Sequence, residues 1–97
     1  MPDTAIVEKE MGITYRDFFR IIGNALGADD FKSWSSGVRL VQGDKQLEIQ
    51  LGPEGQRKIA LMVIPRTMVT MTFTNYSDNE IKTAVKRFDM MFKKGGG

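Results

Sequence analysis

Residues 38–51 read VRLVQGDKQLEIQL, so apolar and polar side chains alternate on both sides of a central Gly-Asp pair. Alternation with a period of two is typical of strands that bury one face. A two-residue Gly-Asp turn of type II′ pairs Leu40 with Leu47 and Arg39 with Glu48. The stretch therefore predicts an antiparallel hairpin whose apolar side chains share one face.

Two further strands are expected at residues 58–64 and 68–74, joined by a loop at residues 65–67 that begins with Pro. A three-residue loop pairs Ile64 with Met68, and this register sorts the apolar residues without conflict. The side chains that it turns toward the core are Ile59, Leu61, Val63, Val69, Met71 and Phe73.

Helices are predicted at both ends of this strand region. Thr14 as N-cap and Asp17 at the third helical position start a helix over residues 15–26. Ser77 and Glu80 form an S-x-x-E capping box at the start of a second amphipathic helix. The element order is then α-β-β-β-β-α.

These elements predict the α+β class, with a four-stranded antiparallel meander sheet and both helices on one face. A chain of 97 residues fits one domain, placed at residues 13–94. Residues 1–12 are expected to be a flexible N-terminal arm, and residues 95–97 a flexible Gly tail. The predicted core consists of Phe18, Ile22, Leu40, Leu47, Ile49, Leu61, Val63, Val69, Met71, Phe73, Ile81, Val85 and Phe88.

The composition excludes several kinds of active site. The chain has no Cys and no His, which excludes disulfides, thiolate nucleophiles, zinc fingers and His-based triads. It also lacks a phosphate-binding Gly loop and an EF-hand pattern. The adjacent acids Asp29 and Asp30 follow the first helix, where Asp is typical of turns. The sequence therefore predicts a protein that is not an enzyme, with no catalytic residue, metal site or cofactor.

Apolar runs in the chain are short. The longest uninterrupted one spans residues 59–64, whereas a membrane helix needs about 20 apolar residues. The N-terminus lacks the basic start and apolar run of a signal peptide. We therefore expect a cytoplasmic protein without a membrane partner.

The outward face of the predicted sheet is less polar than a solvent-facing sheet usually is. One interpretation is a contact surface for an unknown protein partner or for a weak homodimer. The other is a central strand on which isolated apolar residues are tolerated. The candidate interaction residues are Ala60, Met62, Ile64, Met68, Thr70, Thr72 and Thr74.

Charge is distributed unevenly along the chain. The net charge is only +2, but residues 1–30 are net acidic and the remainder is net basic. Lys82, Lys86 and Arg87 of the second helix are candidate anion-binding residues, which would suit a weak nucleic-acid or anionic-ligand binder. The alternative is an ordinary solvated helix face, since nucleic-acid binders usually carry a larger basic excess.

The stretches GITYRDFFR at residues 12–20 and RFDMMF at residues 87–92, with the terminal Gly-Gly-Gly, resemble small uncharacterised proteobacterial proteins. The resemblance spans most of residues 12–97 and implies a bacterial protein without a particular activity. The leading functional prediction is a small non-catalytic protein-interaction module of unknown partner.

Overall fold

A computed structural model of the chain describes residues 3–95. Its elements are β1 (Thr4–Met11), α1 (Tyr15–Leu26), β2 (Lys32–Trp34), β3 (Gly37–Gln42), β4 (Lys45–Leu51), β5 (Gly55–Ile59), β6 (Met62–Thr74) and α2 (Asp78–Gly95). The main sheet is antiparallel in the order β1-β6-β4-β3-β2, and β5 pairs with the start of β6. The predicted α+β class, with an antiparallel sheet and two helices, is confirmed. The number of strands and the meander order differ from the prediction.

The β3–β4 hairpin has the predicted register. Leu40 pairs with Leu47, and Arg39 lies opposite Glu48, with 2.8 Å between Arg39 Nη2 and Glu48 Oε1. Gly43 at the turn has a φ of 64°, a left-handed conformation that Gly adopts without steric cost. Alternation and turn chemistry agree here, so the local sequence determines the pairing.

The second predicted hairpin is wrong. The chain does not turn at residues 65–67 but at Ala60 and Leu61, and β6 runs straight through Pro65. β4 pairs directly with the second half of β6, so the stretch at 58–64 does not lie between them. Leu61 and Val63, both predicted in the core, are 101% and 53% exposed.

A misleading turn signal explains this error. Pro65 lies in the part of β6 that pairs with β5, beyond the residues that pair with β1 or β4. Pro is tolerated in an edge strand, because the N–H that Pro lacks would face solvent there and not a neighbouring strand. The real turn carries no Gly or Asn, and Ala60 takes a φ of 55°, which is rare for a residue with a Cβ.

The N-terminal arm predicted to be flexible is instead mostly strand β1. Residues 4–11 pair with residues 67–74 of β6, and Val7 lies opposite Met71. Every second side chain of β1 is half-buried, Val7 and Met11 among them. Pairing covers an edge of β6 that would otherwise be open. Gly95 of the predicted tail ends α2, and residues 96 and 97 lie outside the described residues.

Both predicted helix starts are confirmed. Thr14 Oγ1 accepts a hydrogen bond from the Asp17 backbone N–H at 3.2 Å, and α1 covers the predicted residues. At α2, Ser77 Oγ accepts from the Glu80 N–H, and Glu80 Oε1 accepts from the Ser77 N–H at 2.9 Å. These bonds satisfy amide donors that a helix N-terminus leaves without an intrahelical partner.

The core lies between one face of the sheet and both helices. Phe18 of α1 stacks on Phe92 of α2, with ring centroids 5.6 Å apart, and Phe92 also contacts Phe88. Of the predicted core residues, Ile81 and Val85 are only half-buried. Those confirmed as buried are Phe18, Ile22, Leu40, Leu47, Ile49, Val69, Met71, Phe73 and Phe88.

Candidate interaction surfaces

Residues 55–66 form a hairpin that extends beyond the main sheet; we call it the projecting hairpin. Its residues are exposed apart from Ile64 and Pro65, which are half-buried. The longest apolar run of the chain occupies its tip, where Leu61 is fully exposed and Met62 is 63% exposed. The molecule is accordingly elongated, 48 × 24 × 23 Å. Apolar side chains grouped in water at the end of a hairpin are typical of contact sites.

The projecting hairpin is also cationic. It carries Arg57, Lys58 and Arg66 and no acid. At its base, Glu10 Oε1 of β1 lies 3.1 Å from Arg57 Nη2 and 3.5 Å from Arg66 Nε. Because this carboxylate contacts both strands of the hairpin, it ties the hairpin base to the main sheet. No ion pair of Lys58 occurs in residues 3–95.

The sheet face opposite the helices has no covering layer in the described part of the chain; we call its β1, β6 and β4 region the outer sheet face. Its centre is a row of half-buried Thr side chains next to Met68. Glu8 and Gln50 flank Thr70, and Ile6 and Glu48 flank Thr72. The face consists of Thr4, Ile6, Glu8, Glu10, Met68, Thr70, Thr72, Thr74, Gln46, Glu48 and Gln50.

The predicted interaction residues therefore fall into two groups. Met68, Thr70, Thr72 and Thr74 lie on the outer sheet face as expected. Met62 and Ile64 belong to the projecting hairpin, and Ala60 is part of its turn. The prediction missed Ile59, Leu61 and Val63 as surface residues, because it assigned them to the core. Their position in an uninterrupted apolar run was the one available signal.

The candidate anion-binding residues of α2 do not form one free patch. Arg87 donates from Nε and Nη2 to the carbonyl oxygen of Asn24, at 3.3 and 3.1 Å, near the end of α1. Lys82 and Lys86 flank a shallow apolar depression beside Val7 of β1. Arg87 thus serves the contact between the helices, which leaves two lysines one helical turn apart.

An ion pair links the β3–β4 hairpin to the start of α2. Lys45 Nζ lies 2.6 Å from Glu80 Oε2. Hydrogen bonds from Lys45 and from the Ser77 N–H lower the pKa of Glu80 to about 2, and the Glu80 carboxylate raises the pKa of Lys45. Burial raises the pKa of Tyr76, which lies beside this pair. Both charges are satisfied within the fold, so the pair serves the structure.

A cavity of about 380 Å³ opens between the helices and the sheet. Leu47, Met71 and Phe88 line its floor, and Glu80 and Arg87 lie at its rim. Both rim charges already have partners, Lys45 and the Asn24 carbonyl respectively. The cavity therefore presents apolar surface without a free charged group.

Within residues 3–95, no three carboxylates come close enough to hold a metal ion. No described helix is long and apolar enough to cross a membrane. Comparisons with family models, with curated proteins and with solved structures find no match to this chain. The resemblance to proteobacterial proteins therefore stays a prediction.

Proposed function

We propose that the protein is a small non-catalytic protein-interaction module and that the projecting hairpin is its main contact element. The exposure of the tip carries the proposal: Ile59, Leu61, Met62 and Val63 are each more than half exposed. Fully burying one such side chain contributes about 1.5–3 kcal/mol. Burial of the exposed parts of these four side chains would together contribute several kcal/mol toward association.

The hairpin's conformation supports the same proposal. Exposed apolar strands promote aggregation, and proteins commonly protect them with charges or by covering them. Here Arg57 and Lys58 precede the tip and Arg66 follows it, which keeps the hairpin soluble while its apolar end stays available. The Glu10 contacts fix the hairpin base, so less conformational entropy is lost on binding.

The alternative, a nucleic-acid or anionic-ligand binder through α2, has less support. It needs Lys82, Lys86 and Arg87 to act together, and Arg87 is engaged at α1. Two lysines supply few phosphate contacts, and affinity for nucleic acid rises with the number of such contacts.

Site-specific photo-crosslinking in the native cell tests the proposal. A benzophenone side chain replaces Leu61 at the hairpin tip or, as the control, Met90, an exposed apolar residue of α2. We expect a discrete crosslinked product from position 61 and none from position 90. Equal crosslinking at both positions, or none at position 61, would overturn the proposal.

A further inference from the structure

We infer that the projecting hairpin of one copy packs on the outer sheet face of a second copy, and that the second copy's hairpin packs back on the first. The inference rests on the proposed function, because it names the partner of the same hairpin. Three properties of the two surfaces carry it: their charges, their areas and their chemistry.

The charges of the two surfaces are complementary. The projecting hairpin carries three cations and no acid. The outer sheet face carries Glu8, Glu10 and Glu48, of which Glu48 already pairs with Arg39 of the neighbouring strand β3. Within one copy, Glu10 already binds Arg57 and Arg66, so acids of this face and cations of this hairpin form pairs. Glu8 has no ion pair in the described part of the chain and is available to a second copy.

The same charges disfavour the simpler dimer in which two hairpins contact each other. Such an interface would bring together two hairpins that each remain net cationic, since Arg57 and Arg66 share one carboxylate and Lys58 has none in the described part of the chain, and like charges across an interface oppose binding. Packing a hairpin on an acidic face avoids this repulsion and uses the charges to orient the two copies.

Area also favours a reciprocal arrangement. Stable interfaces bury about 800 Å² on each partner, and one hairpin tip of four exposed apolar side chains offers less than this. When each copy contributes both a hairpin and a sheet face, the buried area doubles. A two-fold axis then closes the assembly as a dimer.

The outer sheet face suits this role because it costs little to desolvate. Its centre consists of Thr hydroxyls and methyls next to Met68 and Ile6, and residues 67–74 of β6 carry no charge. The opposite sheet face already lies under the helices. The fold divides the interaction residues predicted from the sequence between the projecting hairpin and the outer sheet face. In the proposed dimer, both groups lie in the same interface.

Sedimentation equilibrium of single variants and of their mixture tests the inference. Met62→Asp alters the hairpin, and Thr72→Arg places a cation on the sheet face beside Glu48. Met90→Asp is a matched control, since Met62 and Met90 are 63% and 51% exposed. Circular dichroism verifies folding, and Thr70→Lys replaces Thr72→Arg if that variant does not fold.

We expect the wild-type chain and Met90→Asp to form dimers, and Met62→Asp and Thr72→Arg each to dimerise at least ten-fold more weakly. In the mixture, one intact hairpin meets one intact face, so the heterodimer keeps one of the two contacts and should form more tightly than either variant alone, yet more weakly than the wild-type dimer. A mixture that associates no more tightly than the single variants would overturn the inference. A Thr72→Arg chain that dimerises like the wild type would also overturn it and would indicate contact between hairpins. A wild-type chain that stays monomeric at millimolar concentration would also overturn it. If the residue 61 crosslink to another protein persists in that case, the proposed function still stands.

Discussion

The β3–β4 hairpin and the projecting hairpin are close in sequence and opposite in environment. The first lies within the main sheet and buries Leu40, Leu47 and Ile49. The second lies beyond the sheet and leaves Leu61 and Met62 in water. Both contain enough apolar residues to form a core strand. Their difference shows that apolar content alone does not decide burial.

Alternation is what distinguishes the two hairpins. In β4, polar residues alternate with Leu47, Ile49 and Leu51. A register shift by one residue would therefore bury the polar side chains and expose the apolar ones. Residues 59–64 are apolar throughout, so either register buries apolar side chains and neither is excluded. A continuous run is compatible with a buried strand, but it does not require one.

The largest difference is expected between a core side chain and a hairpin side chain. Phe88→Ala should lower the free energy of unfolding by about 3–5 kcal/mol, since Phe88 is buried between the other helix and the sheet. Leu61→Ala should change it by less than about 0.5 kcal/mol. Urea denaturation at concentrations that keep the chain monomeric measures both. A comparable loss for Leu61→Ala would place the hairpin tip in the core.

A second comparison concerns β1, where neighbouring residues face opposite sides of the sheet. Val7→Asp puts a carboxylate against Met71 and the core and should cost about 2 kcal/mol. Ile6→Asp faces water and should cost less than about 0.5 kcal/mol. Urea denaturation of the monomeric variants measures these effects as well. Equal small effects would mean that β1 does not pair, and that the N-terminal arm is flexible as the sequence predicted.

Much of the fold follows from local sequence signals. Thr14 and Ser77 mark the helix starts, and the residues around Gly43 determine one hairpin and its register. The pairing of strands that are far apart in sequence does not follow from local signals. The pairing of β1 with β6 joins residues about sixty apart, and no local pattern in residues 4–11 specifies that partner.

The candidate surfaces were predictable in part. The Thr row on β6 follows from alternation alone, since Thr70 and Thr72 share a face with Met68. The projecting hairpin was not predictable. Pro65 is typical of a turn, but it lies within a strand, and the actual turn at Ala60 has no Gly or Asn to indicate it. The role of Arg87 depends on the packing of α2 against α1, a tertiary contact without a sequence signal.

A smaller effect is expected at the base of the projecting hairpin. Glu10→Gln removes the carboxylate that contacts Arg57 and Arg66, and exposed ion pairs contribute at most about 1 kcal/mol. Amide exchange across residues 55–66 should accelerate, because the hairpin loses its anchor. Asp89→Asn, which breaks the exposed Lys9–Asp89 pair, is the control and should leave that exchange unchanged. Unchanged exchange in Glu10→Gln would show that the hairpin holds its position without this anchor.

The smallest expected effect is a dependence of folding stability on pH in the acidic range. The pKa of Glu80 is lowered to about 2 in the folded state. The ionised Glu80 carboxylate therefore contributes to folding stability at pH values above the usual pKa of Glu. That contribution is lost as the pH falls from about 4.5 to about 2. Glu80→Gln should therefore lower the melting temperature slightly at pH 7 and not at pH 2. A difference from the wild-type chain that is the same at both pH values would contradict this linkage.

The account depends on β4 pairing directly with β6, since this pairing excludes residues 55–66 from the main sheet. A double variant, Gln50→Cys with Thr70→Cys, tests it most directly, because the chain has no other cysteine. Paired antiparallel residues have Cα atoms about 4.5–5.5 Å apart, within the reach of a disulfide. In a meander, the intervening strand would hold the two residues about 10 Å apart, beyond that reach. We predict that mild oxidation of the monomer forms an intramolecular disulfide in high yield. Retention of two free thiols in the folded monomer would contradict the account.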